Sequence, residues 1–416
     1  MKITKFFTFA TALGMLFTSC NKDDVQGPEF PNENLDANKG YVTVALADDA
    51  GLLTKAGYNP SYELGTVEER SIKNLAIYVF NTDSTLNTAY VPSGISSQYT
   101  FGVELEDGQT SASGLIVMAV ANLSGLTQTA HAGALTREIY DVEAKRFHSE
   151  ILNSGIPMAG TYSGLNVTAG TITPATVGVS RLYAKFNAPT TSAQVEVTLP
   201  SHDVDTLEVL LGQPIVGDIQ FELTGHIVVN GLHKSFGFEN YGFADENEAR
   251  WLPSVWTLGN DVSNYTASDY VTDANGKWLG TVYSGDDFLT DESVYLYENS
   301  PLYRTASETG TIGGYDNRTV YALIVEGELY DDANPTNKVT RYWRINVSKN
   351  SSHENAYKIL RNAIYNVNIE NVKTLGYGSP GEAEEEKPII PDAEEASIEV
   401  TVEVLQWRVY NENLDI

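Results

Sequence analysis

The chain has 416 residues, with 55 Asp and Glu against 26 Lys and Arg, for a formal charge of −29. A field of that sign repels phosphate backbones and anionic headgroups, and no Lys/Arg cluster with interleaved aromatics offsets it, which argues against a nucleic-acid partner. A single cysteine rules out a disulfide framework, so stability must come from hydrophobic packing, and the length allows two ordinary domains.

The first element in chain order is a leader. Lys2 and Lys5 precede an apolar run from Phe6 to Phe17, the small residues Thr18 and Ser19 follow, and the sole cysteine, Cys20, closes the stretch. This is signal-peptide architecture. It resembles a bacterial lipobox, and the resemblance implies that residues 1–19 are removed and that Cys20 becomes an acylated first residue. No later stretch reaches the roughly 18 apolar residues that a membrane helix needs.

Polar residues carrying Pro and Gly then form a tether as far as Gly40. "YVTVALA", Tyr41 to Ala47, alternates Val42, Val44 and Leu46 against Tyr41, Thr43 and Ala45, which predicts a strand with one apolar face. "NLAIYVFN" and "GLIVMAVAN" are apolar on both faces and predict strands covered on both sides. A helix is expected around Leu135 to Leu152. Beyond a boundary expected near Ala188, "QVEVTLP", "IQFELTGHIVVN", "TVYALIVEGELY", "RYWRINV" and "AIYNVNIENV" recur between turn residues, the spacing of a β-sandwich. The acidic, proline-containing stretch 374–396 reads as an extended linker. It leads to "SIEVTVEVLQW", in which Ile398, Val400, Val402 and Val404 make one apolar face that must add to a sheet, in this molecule or another.

Chemistry-bearing motifs are missing from this series. The six histidines include no i, i+4 zinc pair, and His226 and His233, seven apart across an apparent hairpin, are a weak basis for a metal. There is no G-x-S-x-G nucleophile elbow and no phosphate loop. Carboxylate pairs are too numerous to nominate a catalytic dyad. No catalytic residue, metal or cofactor is assigned, and Trp251 and Trp256 are kept as candidates for a surface contact with a glycan.

Taken in order, the lipobox, "YVTVALA", "LLTKAG", "IKNLAIYVFN", "GLIVMAVAN", "RLYAKFNA", "RNAIYNVNIENV" and "IEVTVEVLQW" resemble the precursors of the fimbrillins, subunits of the type V pili of Bacteroidales-type bacteria. The resemblance implies an all-β chain with minor helix, built as two tandem transthyretin-like β-sandwiches. These would span residues 56–187 and 188–373, behind a propeptide of residues 20–55 that contains the first strand. It further implies a surface fimbrium supporting adhesion, an outer-membrane lipoprotein precursor, and cleavage between Lys55 and Ala56 by a trypsin-like protease. A donor strand in residues 397–416, carrying Ile398, Val400, Val402, Val404 and Trp407, would then join other pilus subunits. Lys55 stands where the family's best-known members carry arginine, and Arg70 is the nearest arginine. Two further readings stay open: a pilus tip adhesin and a surface lipoprotein that binds a host glycan or protein.

Overall fold

The computed structural model describes residues 35–48, 62–122 apart from 84, 97, 107 and 108, 139–140, 155–229, 235–236, 288–297 apart from 291, 303–304, 314–315, 322–347, 359, 361–384 and 396–408. Among these residues the chain is almost wholly β. The first part supplies β1 (Gly40–Asp48), β2 (Tyr62–Leu64), β3 (Leu75–Phe80), β4 (Leu86–Tyr90), β5 (Gln98–Val103), β6 (Ser111–Ala121), β7 (Ile139–Tyr140), β8 (Met158–Thr168) and β9 (Ile172–Arg181).

Seven of these strands follow the order β4-β3-β6-β8-β9-β1-β5. β9 pairs with β1 from Ile172 to Val179 but with β8 only at Ser180 and Arg181, so it passes from one layer to the other. Where it does so, a Cβ on Gly160 would lie 1.9 Å from the Gly178 carbonyl oxygen, a backbone approach only glycine permits. The layers β4-β3-β6-β8 and β9-β1-β5 close on a core of Val42, Val44, Ile77, Val79, Phe101, Val117 and Val177. β3 is buried along its whole length, as its sequence predicts: Leu75, Ile77 and Val79 face this core, while Ala76, Tyr78 and Phe80 face a second cluster with Met118 and Val120.

The second part supplies β10 (Tyr183–Phe186), β11 (Thr190–Val197), helix α1 (Ser201–Leu211), β12 (Ile219–Val229), β13 (Ser235–Phe236), β14 (Val294–Tyr297), β15 (Tyr303–Arg304), β16 (Gly314–Tyr315), β17 (Ala322–Asp331), β18 (Lys338–Asn346), β19 (Ala363–Val372), helix α2 (Pro380–Glu384) and β20 (Ile398–Arg408). One sheet has the order β14-β10-β19-β20-β2, with β11 also on β19, and the other is β12-β17-β18. Their shared core holds Trp343, fully buried, with Phe221 edge-on at 5.3 Å and the indole N–H donating to the Thr374 carbonyl at 3.1 Å. β7 with β13, and β15 with β16, form two short additional pairs.

The chain passes from the first set of sheets to the second between Arg181 and Tyr183, within about ten residues of Ala188, where the boundary is expected. Three features differ from the sequence reading. Helix α1 was not expected. Its Leu207 and Leu211 are buried one turn apart, and Gly212 ends it at φ 68°, a left-handed cap that favours glycine. The Leu135–Leu152 helix lies outside the described residues except for Ile139–Tyr140, which is strand β7. The expected linker is docked over its first half. The Leu375 N–H donates to Asp203 at 2.8 Å, Tyr377 pairs with Tyr342, and Ala383 of α2 is fully buried.

Candidate functional site

Two strands near opposite ends of the chain, β1 and β20, each lie between two neighbours in a sheet. β1 is the middle strand of its layer. It runs parallel to β9 over eight residue pairs, Tyr41–Ile172 to Asp48–Val179, and antiparallel to β5 over six, Gly40–Val103 to Ala45–Gln98. Val42 and Val44 are fully buried in the core, and Leu46 is partly buried against it. The outer face is polar, with Thr43 and Thr100 sharing a hydrogen bond at 2.9 Å and Lys39 paired to Glu104 at 3.1 Å. The alternation expected of Tyr41 to Ala47 is the one observed. Burying two valines contributes about 3–6 kcal/mol, and losing β1 would leave two strands with unpaired edges.

β20 is the counterpart in the second sandwich. It pairs antiparallel with β19 from Ile398–Val372 to Gln406–Ala363, with a bulge at Glu370, and parallel with β2 through Tyr62–Gln406, Glu63–Trp407 and Leu64–Arg408. Ile398 is buried, Val400 and Val402 pack against the core of this domain, and Leu405 enters that core from the opposite face of the strand. On the polar face Asn366 donates to Glu403 at 3.2 Å, Thr401 hydrogen-bonds Glu370, and Lys373 pairs with Glu399 at 3.0 Å. Ile398, Val400 and Val402 therefore share a face as their spacing predicts, and they sit in their own chain's sheet. Val404 and Trp407 lie on β20, at Tyr365 and Glu63 in register.

Cys20, Lys55 and Ala56 lie outside the described residues. The alternative basic site, Arg70, is within them, in a turn that binds it closely. The Thr66 carbonyl accepts both the backbone N–H of Arg70 at 3.0 Å and its Nε at 3.4 Å. Thr66 and Glu69 cap each other reciprocally: the Thr66 N–H donates to the Glu69 carboxylate at 2.7 Å and the Glu69 N–H to the Thr66 hydroxyl at 3.2 Å. The Arg70–Ser71 bond is thus in a folded turn rather than the extended form a protease binds.

Glu69 is the residue that sequence reasoning missed. It is fully buried where the two sandwiches meet, 2.9 Å from the Lys185 ammonium on β10, and accepts a 2.5 Å hydrogen bond from the Tyr295 hydroxyl on β14. The guanidinium of Arg181, at the end of β9, reaches the Glu69 carbonyl at 3.5 Å. Burial pushes the Glu69 carboxyl up. Tyr295, Lys185 and the Thr66 N–H together outweigh that and hold it below the usual carboxylate range. The Tyr295 hydroxyl is pushed up, by burial first and then by the carboxylate beside it. Its only sequence signal is the spacing "TVEE", a Thr with a Glu three residues on.

Elsewhere the chemistry is sparse. His226 is buried on β12, where its backbone exchanges hydrogen bonds with Leu289 at 2.8 and 2.9 Å, while His233, Trp251 and Trp256 lie outside the described residues. Among the described residues no group of three His, Cys, Asp or Glu is placed to hold a metal ion, and no helix is long and apolar enough to cross a membrane.

Comparison with known proteins agrees with this architecture. Residues 337–413, which run from the turn before β18 through β20, match the family described as major fimbrial subunit protein type IV, fimbrillin, C-terminal. A search of curated protein sequences finds no match. Among solved structures, a candidate cell adhesion protein from Parabacteroides distasonis is similar at a TM-score of 0.52 with 16% identity, covering 89% of this chain and 100% of that one. The fimbrilin FimA of Porphyromonas gingivalis W83 aligns at 0.45 with 16% identity over 89% of this chain and 99% of its own. The tip fimbrial protein Mfa3 of Porphyromonas gingivalis aligns at 0.42 with 14% identity over 89% and 100%. The first of these structures shares the fold, and the family match carries the resemblance to the fimbrillins through β18, β19 and β20.

Proposed function

We propose that this chain is a non-enzymatic structural subunit of a cell-surface fimbrium that is exported as a lipoprotein on Cys20. It is cut between Lys55 and Ala56, and it polymerises when a neighbour's β20 fills the seat left by β1. The observation that carries this reading is the seat itself. β1 is a core strand on two ladders, yet the chain between Asp48 and Tyr62 is the only covalent link holding it to the rest of the described fold, so one cut there makes it removable. A strand offering a row of β-branched residues restores both the ladder and the buried face. Because seat and donor are different surfaces, the contact is heterologous and propagates as a filament.

Limited trypsin digestion of the full chain tests this. The expected product begins at Ala56 and, once the leading fragment dissociates, forms filaments visible by electron microscopy. A product beginning at Ser71, or a cut chain that stays monomeric and takes up no strand, would overturn it. A tip subunit is the second reading, favoured by the burial of Ile398 and Leu405 of β20 in the chain's own sandwich. A tip subunit would remain monomeric after the cut and still bind a synthetic peptide of residues 397–408.

A further inference from the structure

A donor β20 must part from two neighbours, because its end is enclosed. Gln406 faces Ala363 of β19 on one side and Tyr62 of β2 on the other, and Trp407 and Arg408 continue along β2. β2 is only three residues long, too short to persist as an edge strand through its own ladder. It is secured from outside. Downstream, the turn 66–70 brings Glu69 into its buried contact with Lys185 and Tyr295, on β10 and β14 of the same sheet. Upstream, the covalent chain leads back to β1, fixed between β9 and β5.

We propose that β2 is a retaining strand that keeps β20 in its own sheet, and that a cut between β1 and β2 loosens this hold by freeing its upstream end. The proposal rests on the donor-strand reading. It adds that one proteolytic event acts on both partners of the joint: it empties the seat of β1 and weakens the restraint on β20. In the uncut chain both are blocked, so premature assembly is prevented twice. Glu69 keeps the other end of β2 in place after the cut, so β20 is loosened rather than expelled.

Hydrogen exchange of the β20 amides, read separately from those of β6, tests the proposal with and without polymerisation. In the uncut chain Glu63→Pro, which disrupts the β2 ladder, is expected to speed exchange at β20 about tenfold while β6 is unchanged. Cutting the wild-type chain after Lys55 is expected to speed exchange at the same amides. Equal β20 protection in wild type and Glu63→Pro would overturn the proposal. If β20 loosens as expected but the cut chain neither polymerises nor accepts a strand, the retaining role stands and the donor-strand reading falls. Should Glu63→Pro also lose β6 protection, the cross-link Glu63→Cys with Trp407→Cys, in a Cys20→Ala background, decides the matter. Its oxidised cut form should exchange more slowly at β20 than its reduced form, and equal rates would overturn the proposal.

Discussion

Glu69 illustrates how one buried side chain can fasten a short segment, the turn after β2, to the sheet that carries β10 and β14. Its charge is matched by Lys185, its remaining oxygen valences are filled by Tyr295 and Thr66, and it has no exposure to water. Removing one partner of such a pair strands the other, so Glu69→Ala should cost about 3–5 kcal/mol of stability. Thermal melts against wild type would measure it. The carboxyl is depressed in the folded chain, so its contribution is present above the unfolded carboxylate pKa and is lost as pH falls through the lower folded value. Stability of the wild type should therefore decline more steeply than that of Glu69→Gln on acidification below about pH 4. Parallel curves for the two proteins would show that Glu69 does not titrate with unfolding. In a chain with 55 carboxylates no composition argument could select this one, since its meaning lies in contacts with residues more than a hundred positions away.

At the scale of the element, legibility follows strand length and pattern. β1 could be read because Val42, Val44 and Leu46 alternate cleanly, and β3 because both of its faces are apolar. β2 could not, since the three residues Tyr62–Leu64 carry no measurable period. Helix α1 carries its signal in Leu207, Leu211 and the Gly212 stop, but the exposed Val209 and Leu210 on its other side blur the period. The linker was misjudged because Leu375 and Ala383 become anchors only once β18 is beside them. Val400→Asp with Val402→Asp puts two charges against the core of the second sandwich and should destabilise that domain by about 2–5 kcal/mol, besides blocking exchange. Calorimetry of the uncut chain would detect it, and an unchanged melt would mean that β20 contributes little to its own sheet. A synthetic peptide of residues 397–408, added in excess to the cut chain, should raise its melting temperature and suppress polymer length. A peptide of the same composition in scrambled order should do neither.

For the whole molecule, net charge would set the conditions of the proposed assembly. Cut after Lys55, each copy keeps 21 Lys and Arg against 48 Asp and Glu, a formal charge of −27 that opposes end-to-end approach, and salt screens it over a Debye length of about 10 Å at 0.1 M. Filament formation by the cut chain should therefore speed up between low and physiological salt, as light scattering would record. A rate that falls with salt would point to an attractive charged contact instead. The all-β character was legible because repeated short strands between turn residues admit few alternatives, while the pair of sandwiches was implied by the resemblance to the fimbrillins. The assignment of β2 to the distant sheet was not, because it depends on pairing across more than three hundred residues.

The two ladders that hold β1, which a donor strand filling its seat would inherit under the proposed assembly, also set how that layer bears load. Eight pairs on one side and six on the other lie along a single strand axis. A pull along that axis strains these bonds together in shear, whereas a pull across it would open them one after another from an end. A cell tethered through this layer along the strand would thus hang on the whole set of bonds at once. In the proposed filament, a donor strand seated along that axis would resist a pull along its length through all its bonds together and a peeling pull one bond at a time.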